Sequence, residues 1–301
     1  MANKLTKKNY SEETFYCISI KIHSDQENKQ DLYSDIFRRI YNLENFNARI
    51  GGKNGLSLKK LDEFKLSKKQ LGNEFDSVPF DELKILRGEL VKYKIEDEDD
   101  KYFNTISKEL KSGDPSSPDK PNAFTINIYL IPSIHRILLP IKSKLTPEQL
   151  KLYFEQALYK IYESEDYFNV DIAKSEEEVN KIYKLKKLNK LILEISYTND
   201  DLAQDEKLFM DSLLKEADVN KYKGEFRSEN SDSLNMNSKI IKGGIELSKE
   251  NGELIATGIN DFGNKETINT KNKFEEVKFK IIKDLDPLVS LLKETYKKWR
   301  I

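Results

Sequence analysis

Residues 124–141 read FTINIYLIPSIHRILLPI, and the fold turns on how they are read. Phe124, Ile126, Ile128 and Leu130 alternate with Thr125, Asn127 and Tyr129, the period of two expected of a strand with one buried face. Pro132-Ser133 breaks the run and Ile134 to Ile141 resumes it, so the two halves fold back as a hairpin. Folding at the break sets Ile137 opposite Ile128, Leu139 opposite Ile126 and Ile141 opposite Phe124, which makes one continuous apolar face. Pro140 has no N–H to give to a ladder, so the second strand lies at an edge or ends there.

Upstream, Tyr16, Ile18, Ile20 and Ile22 alternate within a strand from Thr14 to His23, and Leu32, Ile36, Ile40 and Leu43 recur at helical spacing from Asp31 to Leu43. From Asn45 to Phe80 the pattern is weak, with Gly51, Gly52 and Gly55 and the lysine-rich stretch Lys59 to Lys69, and reads as loops and short elements. Arg87 to Ile95 is a further strand, ending in the acidic run 96–100, and Ser112 to Asn122 is a connecting loop.

Downstream, Thr146-Pro147-Glu148-Gln149 carries a hydroxyl cap, a proline at the first helical position and a glutamine able to reach back, so a helix runs to about Tyr162. A short strand, Phe168 to Ile172, leads to a second capping box, Ser175 with Glu178, and a helix ending near Asn189. Leu191 to Tyr197 is the next strand. This β–α–β order predicts a parallel pair joined by a right-handed crossover. With the preceding hairpin and helix it gives an α+β fold, a mixed sheet with a ferredoxin-like β-β-α-β-α-β core flanked by helices.

A boundary near residue 200 divides the chain into an α/β core, 1–200, and a C-terminal part, 201–301, packed upon it. The C-terminal part holds a helix from Gln204 to Ala217 and a polar stretch from Arg227 to Ser238. It also holds an antiparallel hairpin turning at Asn251-Gly252 between Ile245, Leu247 and Leu254, Ala256, and a last helix from Asp286-Pro287 with the stripe Leu288, Leu291, Leu292 and Trp299. Gly258 and Ala256 in that hairpin invite close approach by another element.

Composition narrows the function. At 301 residues with 38% hydrophobic content the chain can bury real cores, while 51 basic residues nearly cancel 52 acidic ones. No global field draws in nucleic acid or an anionic membrane, so such a partner needs a local patch. One cysteine, Cys17, excludes an internal disulfide and fits a reducing, cytoplasmic setting. No stretch approaches the roughly 20 apolar residues of a membrane-spanning helix, and no membrane partner is expected.

Two histidines, His23 and His135, leave little for histidine chemistry or a zinc site. Gly51, Gly52, Lys53 and Gly55 lack the order of a phosphate-binding loop, and the dinucleotide fingerprint is absent. Carboxylates with magnesium are the remaining catalytic option. Asp81, Glu82 and Lys84, or Glu89 and Lys92, could hold the metal and orient water, with Asp97 in the acidic run as a further candidate. His135 is also a catalytic candidate, but on the side of Ile137 and Leu139 it reads first as a partly buried structural histidine. Charged residues are frequent enough here for such triplets to arise by chance, and the acidic run reads first as a hydrated loop.

For nucleic acid, Lys181, Lys184, Lys186, Lys187 and Lys190 lie in the expected 176–189 helix or just beyond it, and Asn127, Tyr129 and Arg136 lie on the outer face of the hairpin. The plainer reading comes first, a solubilising helix face and an exposed strand face, because Glu176, Glu177 and Glu178 partly cancel the same helix.

Four stretches, in order, resemble a bacterial family catalogued as domain of unknown function 4747. They are LRGELVKYKIEDEDDKYFNT at 86–105, PNAFTINIYLIPSIHRILL at 121–139, LKKLNKLILEISYTNDDL at 185–202 and NGELIATGIND at 251–261. The family's aromatic-Asn pair appears as Phe103-Asn104, and its Pro-Asn before the aspartates is Thr198-Asn199 here. The resemblance implies an architecture and a place among mobile-element cargo and anti-phage defence, with no established activity. The expectation is a non-catalytic interaction protein of that setting without a cofactor, binding RNA, DNA or a partner protein. A magnesium-dependent nuclease or toxin-like effector using carboxylates of 81–104 is the alternative, and convergence of Glu89, Asp97, Asn104, His135, Arg136, Asn199 and Asp200 on one cleft would favour it.

Overall fold

A computed structural model describes residues 9–23, 28–72, 75, 82–114, 116–196, 205–229, 232–283 and 285–299. In chain order the strands begin with β1 (Tyr10–Ile22), β2 (Ala48–Arg49), β3 (Asn54–Ser67), β4 (Glu82–Lys94), β5 (Lys101–Phe103), β6 (Leu110–Ser112) and β7 (Phe124–Ile131). They continue with β8 (Arg136–Pro140), β9 (Phe168–Ile172), β10 (Lys187–Ser196), β11 (Lys221–Arg227), β12 (Gly252–Ile259), β13 (Lys265–Asn269) and β14 (Glu276–Ile282). The helices are α1 (Lys29–Tyr41), α2 (Lys68–Leu71), α3 (Pro147–Tyr162), α4 (Glu176–Tyr183), α5 (Asp205–Glu216), α6 (Lys239–Asn251) and α7 (Pro287–Trp299).

The larger sheet is curled and runs β14-β1-β8-β7-β4-β3-β2. β1 is long enough to carry β14 along Tyr10–Tyr16 and β9 along Ile18–Ile22, one after the other. Successive residues of a strand point to opposite faces, and here both faces are covered. Ile18, Ile20, Leu86, Leu90, Ile128 and Ile137 face α1 and α3, while Phe15, Cys17, Ile85, Leu138, Val277 and Phe279 face α7. The smaller sheet, β11-β10-β12-β13, has its own core with α4, α5 and α6, built on Leu191, Leu193, Ile245 and Leu254. β5 and β6 make a separate two-stranded ribbon.

Several expectations are corrected. The 45–80 stretch holds β3, fourteen residues long, where loops were expected. A β-bulge between Leu58 and Lys60 shifts its phase, so Leu56, Leu58 and Leu61 reach the α1–α3 core while Phe64 and Leu66 reach the other, and no single alternation shows. The helix after Ser175 ends at Tyr183, and the lysine-rich residues beyond it lead into β10. There a second irregularity, between Leu188 and Lys190, spaces the buried Leu188 and Leu191 as a helix would.

Every described strand pairing is antiparallel. β9 joins β1 in the larger sheet and β10 lies in the smaller one, so the parallel pair of the ferredoxin-like arrangement does not form. Asn251-Gly252 is the end of α6 and the start of β12, and the expected hairpin is absent because Ile241, Ile245 and Ser248 already bury one helical face. Pairing also crosses residue 200, through β10 with β11 and β12, and β14 returns the chain to the first sheet.

The 124–141 hairpin forms with a two-residue shift. Leu130 pairs with Ile137 and Tyr129 with Leu138, because Pro132–Ile134 wind one turn of 3-10 helix that His135 closes in the left-handed conformation at φ 46°. A shift of two keeps every side chain on its expected face. β8 does end at Pro140, but between β1 and β7 rather than at an edge.

A candidate binding cleft between the two sheets

A cavity of about 1120 Å³ opens where the end of the smaller sheet meets β9. Its first wall is the outer side of α3, where Leu152, Glu155, Gln156 and Tyr159 lie one helical turn apart and away from the buried Leu150, Tyr153, Phe154 and Ala157. The capping box read from Thr146 and Gln149 starts this helix, with Thr146 accepting from the Gln149 N–H. The second wall is the meeting end of β10, β11 and β12, with Glu194, Ser196, Lys221, Asn251 and Glu253.

β9 forms the floor, and all five of its residues line the cavity. Alternate residues of a strand face opposite ways, so a cavity that touches five in a row runs along the strand's edge.

The cleft is polar, and seven carboxylates outnumber five lysines along it. Asp171 takes a hydrogen bond from the Ser196 hydroxyl at 3.3 Å and lies 4.0 Å from the Lys151 ammonium, which also pairs with Glu155 at 3.6 Å. Burial raises the Glu155 carboxyl above its ordinary range, with Lys151 opposing. Burial likewise lowers the Lys174 ammonium, whose Nζ donates to the Lys271 carbonyl at 2.9 Å and lies over the Phe274 ring. Glu194 is held down at about 2 by the Lys221 and Lys223 ammonium groups.

Asn251 is 1% exposed, and neither its Nδ2 nor its Oδ1 meets a hydrogen-bond partner among the described residues. A buried amide left so costs about 1–3 kcal/mol for each unmet group, a cost that a ligand able to complement it would relieve.

The residues singled out in the sequence lie elsewhere. Glu89 and Asn127 are neighbours across β4 and β7, as are Arg87 and Tyr129, so three of them share one sheet face, where Lys59 pairs with Glu89 at 2.6 Å. Asp97 and Asp100 are clasped by Lys53 at 2.9 and 3.1 Å, and Lys94 joins Asp100 at 3.2 Å. The Asp97 backbone N–H with these two lysines holds the Asp100 carboxyl at about 2. Asn104 accepts from the N–H groups of Ile106 and Ser107 and so shapes its own turn. Glu82 pairs with Lys65, Lys84 with Asp31, and Lys92 donates to Gln149.

His135 stacks on Tyr33, and its Nδ1 is buried with no hydrogen-bond partner among the described residues. Arg136 is buried against Glu250 at 3.2 Å, with the Cys17 Sγ at 3.6 Å and the Trp299 ring beneath its guanidinium. It therefore sits on the α7 side of the sheet and inside it, not on an outer face as expected. Lys181 pairs with Glu178, Lys184 is the residue after α4, and Lys187 opens β10, so the three do not form one helix face. Asp81, Asn199 and Asp200 lie outside the described residues.

Among the described residues no group of three or more histidine, cysteine, aspartate or glutamate side chains is arranged to hold a metal ion. No helix among them is long and apolar enough to cross a membrane. The cleft residues that the sequence reading missed, Glu155, Asp171, Lys174 and Asn251, are 96 positions apart at the extremes and carry no spacing signal. Only Asn251 stood out, and as a turn.

Fold and cleft together define an α+β protein with a polar cleft between its two larger antiparallel sheets. The chain belongs to the family described as Domain of unknown function (DUF4747), whose family model matches residues 12–295, nearly the whole length. No curated protein matches it.

Proposed function

We propose that this chain is a non-catalytic interaction protein that recognises a partner protein through the inter-sheet cleft. The observation that carries this reading is the cleft's floor, a strand edge bordered by a buried amide with unmet donors and acceptor. The excess of carboxylates along it disfavours a nucleic-acid backbone as the occupant. A volume of about 1120 Å³ is at or above the upper end of small-molecule pockets, roughly 300–1,000 Å³, and suits a length of chain. The mobile-element or anti-phage setting implied by the family resemblance is where such a partner is to be sought.

The test is a binding comparison at low and moderate salt between labelled RNA and DNA 20-mers and an array of random peptides. Retention of peptides that is lost in Asp171→Lys and Glu253→Lys is the expected result. Salt-sensitive retention of RNA or DNA instead, or their cleavage with Mg²⁺ or Mn²⁺, would overturn it.

A further inference from the structure

β9 is hydrogen-bonded as a strand on one side, to β1, and no described strand pairs with its other edge. The polarity of that edge follows from the ladder. His23 N–H donates to the Tyr167 carbonyl and Ala173 N–H to the Cys17 carbonyl, which makes the odd-numbered residues 167–173 the ones bonded to β1. The N–H and C=O groups of Val170 and Ile172 therefore aim away from β1, toward the cleft that β9 lines along its length. Five residues of strand span about 17 Å, the reach of an extended pentapeptide.

We propose that the cleft takes an extended peptide segment of its partner as an added strand on the free edge of β9, with the Asn251 amide bonding one peptide unit and a basic side chain set among Glu155, Asp171 and Glu253. The inference rests on the cleft being the recognition site. Backbone pairing supplies affinity in this mode, and pockets for alternate side chains supply specificity. A primary amide presents one acceptor and two donors in a plane, the complement of a peptide C=O and N–H. Leu152 and Tyr159, partly exposed on the α3 wall, offer apolar surface for the side chains of the added strand that point to that side.

The experiment is selection from a displayed library of random 12-residue peptides on the intact chain, followed by backbone N-methylation of the best peptide one position at a time. Strand addition predicts enrichment of Lys- or Arg-containing peptides and a loss of at least about tenfold at every second N-methylated position, with little effect at the positions between. Asn251→Ala, checked for folding by circular dichroism, should weaken the same peptide by about tenfold.

Selected peptides whose binding ignores N-methylation would overturn strand addition, while loss of that binding in Asp171→Lys would leave the cleft standing as the recognition site. Binding unaffected by Asp171→Lys and Glu253→Lys would overturn the cleft reading itself. Enrichment of acidic peptides, or of none, would overturn the proposal outright.

Discussion

His135 illustrates how packing accounts for a histidine whose residue type alone leaves a catalytic role open. The turn between β7 and β8 needs a left-handed residue, and the ring then lands on Tyr33 beneath the helix α1. Burial lowers its basicity well below the ordinary value of 6.5, and the Arg136 and Lys21 charges act in the same direction. His23 is lowered too, first by burial and then by Lys21.

Both rings stay neutral in the fold at a pH where the unfolded chain takes up a proton, so the unfolded state binds more protons below about pH 6.5. Stability is therefore expected to be full above pH 6.5 and to fall as the pH drops, by up to about 1.4 kcal/mol per pH unit for each group. Urea midpoints measured from pH 7.5 to 5 check this, and His135→Gln should flatten the slope. The sequence reading of His135 as a structural residue beside the apolar Ile137 and Leu139 was available from the alternation. The identity of its stacking partner, 102 positions away, was not.

At the scale of elements, Asn251-Gly252 is the most instructive junction. Asn-Gly between apolar stretches is a strong hairpin signal, yet the same pair suits the end of a helix. What decides between them is the face buried over the preceding residues, where Ile241, Ile245 and Ser248 recur at helical spacing. A Cβ at Gly252 would come within 2.0 Å of the Glu194 carbonyl oxygen, so only glycine lets β12 start against β10. Gly252→Ala is expected to destabilise the protein by about 2–3 kcal/mol, read from urea unfolding, because the clash is with backbone that cannot swing aside. Gly258 is pressed in the same way against the Lys187 carbonyl of β10, its ladder partner, 2.1 Å from an added Cβ.

Strands with a regular alternation, β1 and β7, were legible, and so were the capped helices α3 and α4 at their N-termini. β3 and the start of β10 were not, because a single extra residue in each changes which parity is buried.

At the scale of the molecule, Arg136 ties the two halves together. It leaves β8 in the larger sheet, pairs with Glu250 on α6 of the smaller lobe, and lies over Trp299 of α7. Burial alone works against its charge, and the Glu250 carboxylate outweighs this and holds the guanidinium firmly protonated. Glu250 is partly exposed, so the two partners are unequal: removing the acid strands a buried cation, and removing the cation leaves an acid that water can reach. Glu250→Gln is expected to cost about 3–5 kcal/mol and Arg136→Met less. Trp299 is the only tryptophan, and its fluorescence should change together with far-UV circular dichroism when the native protein unfolds and separate from it in Glu250→Gln, where one buried tie between the halves is lost.

The sequence by itself determined the α+β class, the strands with unbroken period, the helix starts and the family to which the chain belongs. These depend on contacts within a few residues, where periodicity and capping chemistry are complete. Only the tertiary structure decided that β9 and β10 go to different sheets, that β14 returns to lie beside β1, and that α3, β9 and the end of the smaller sheet enclose a cleft. The local signals of β9 and β10 are the same whichever sheet receives them, and the choice is made by which faces remain to be buried once the chain has collapsed.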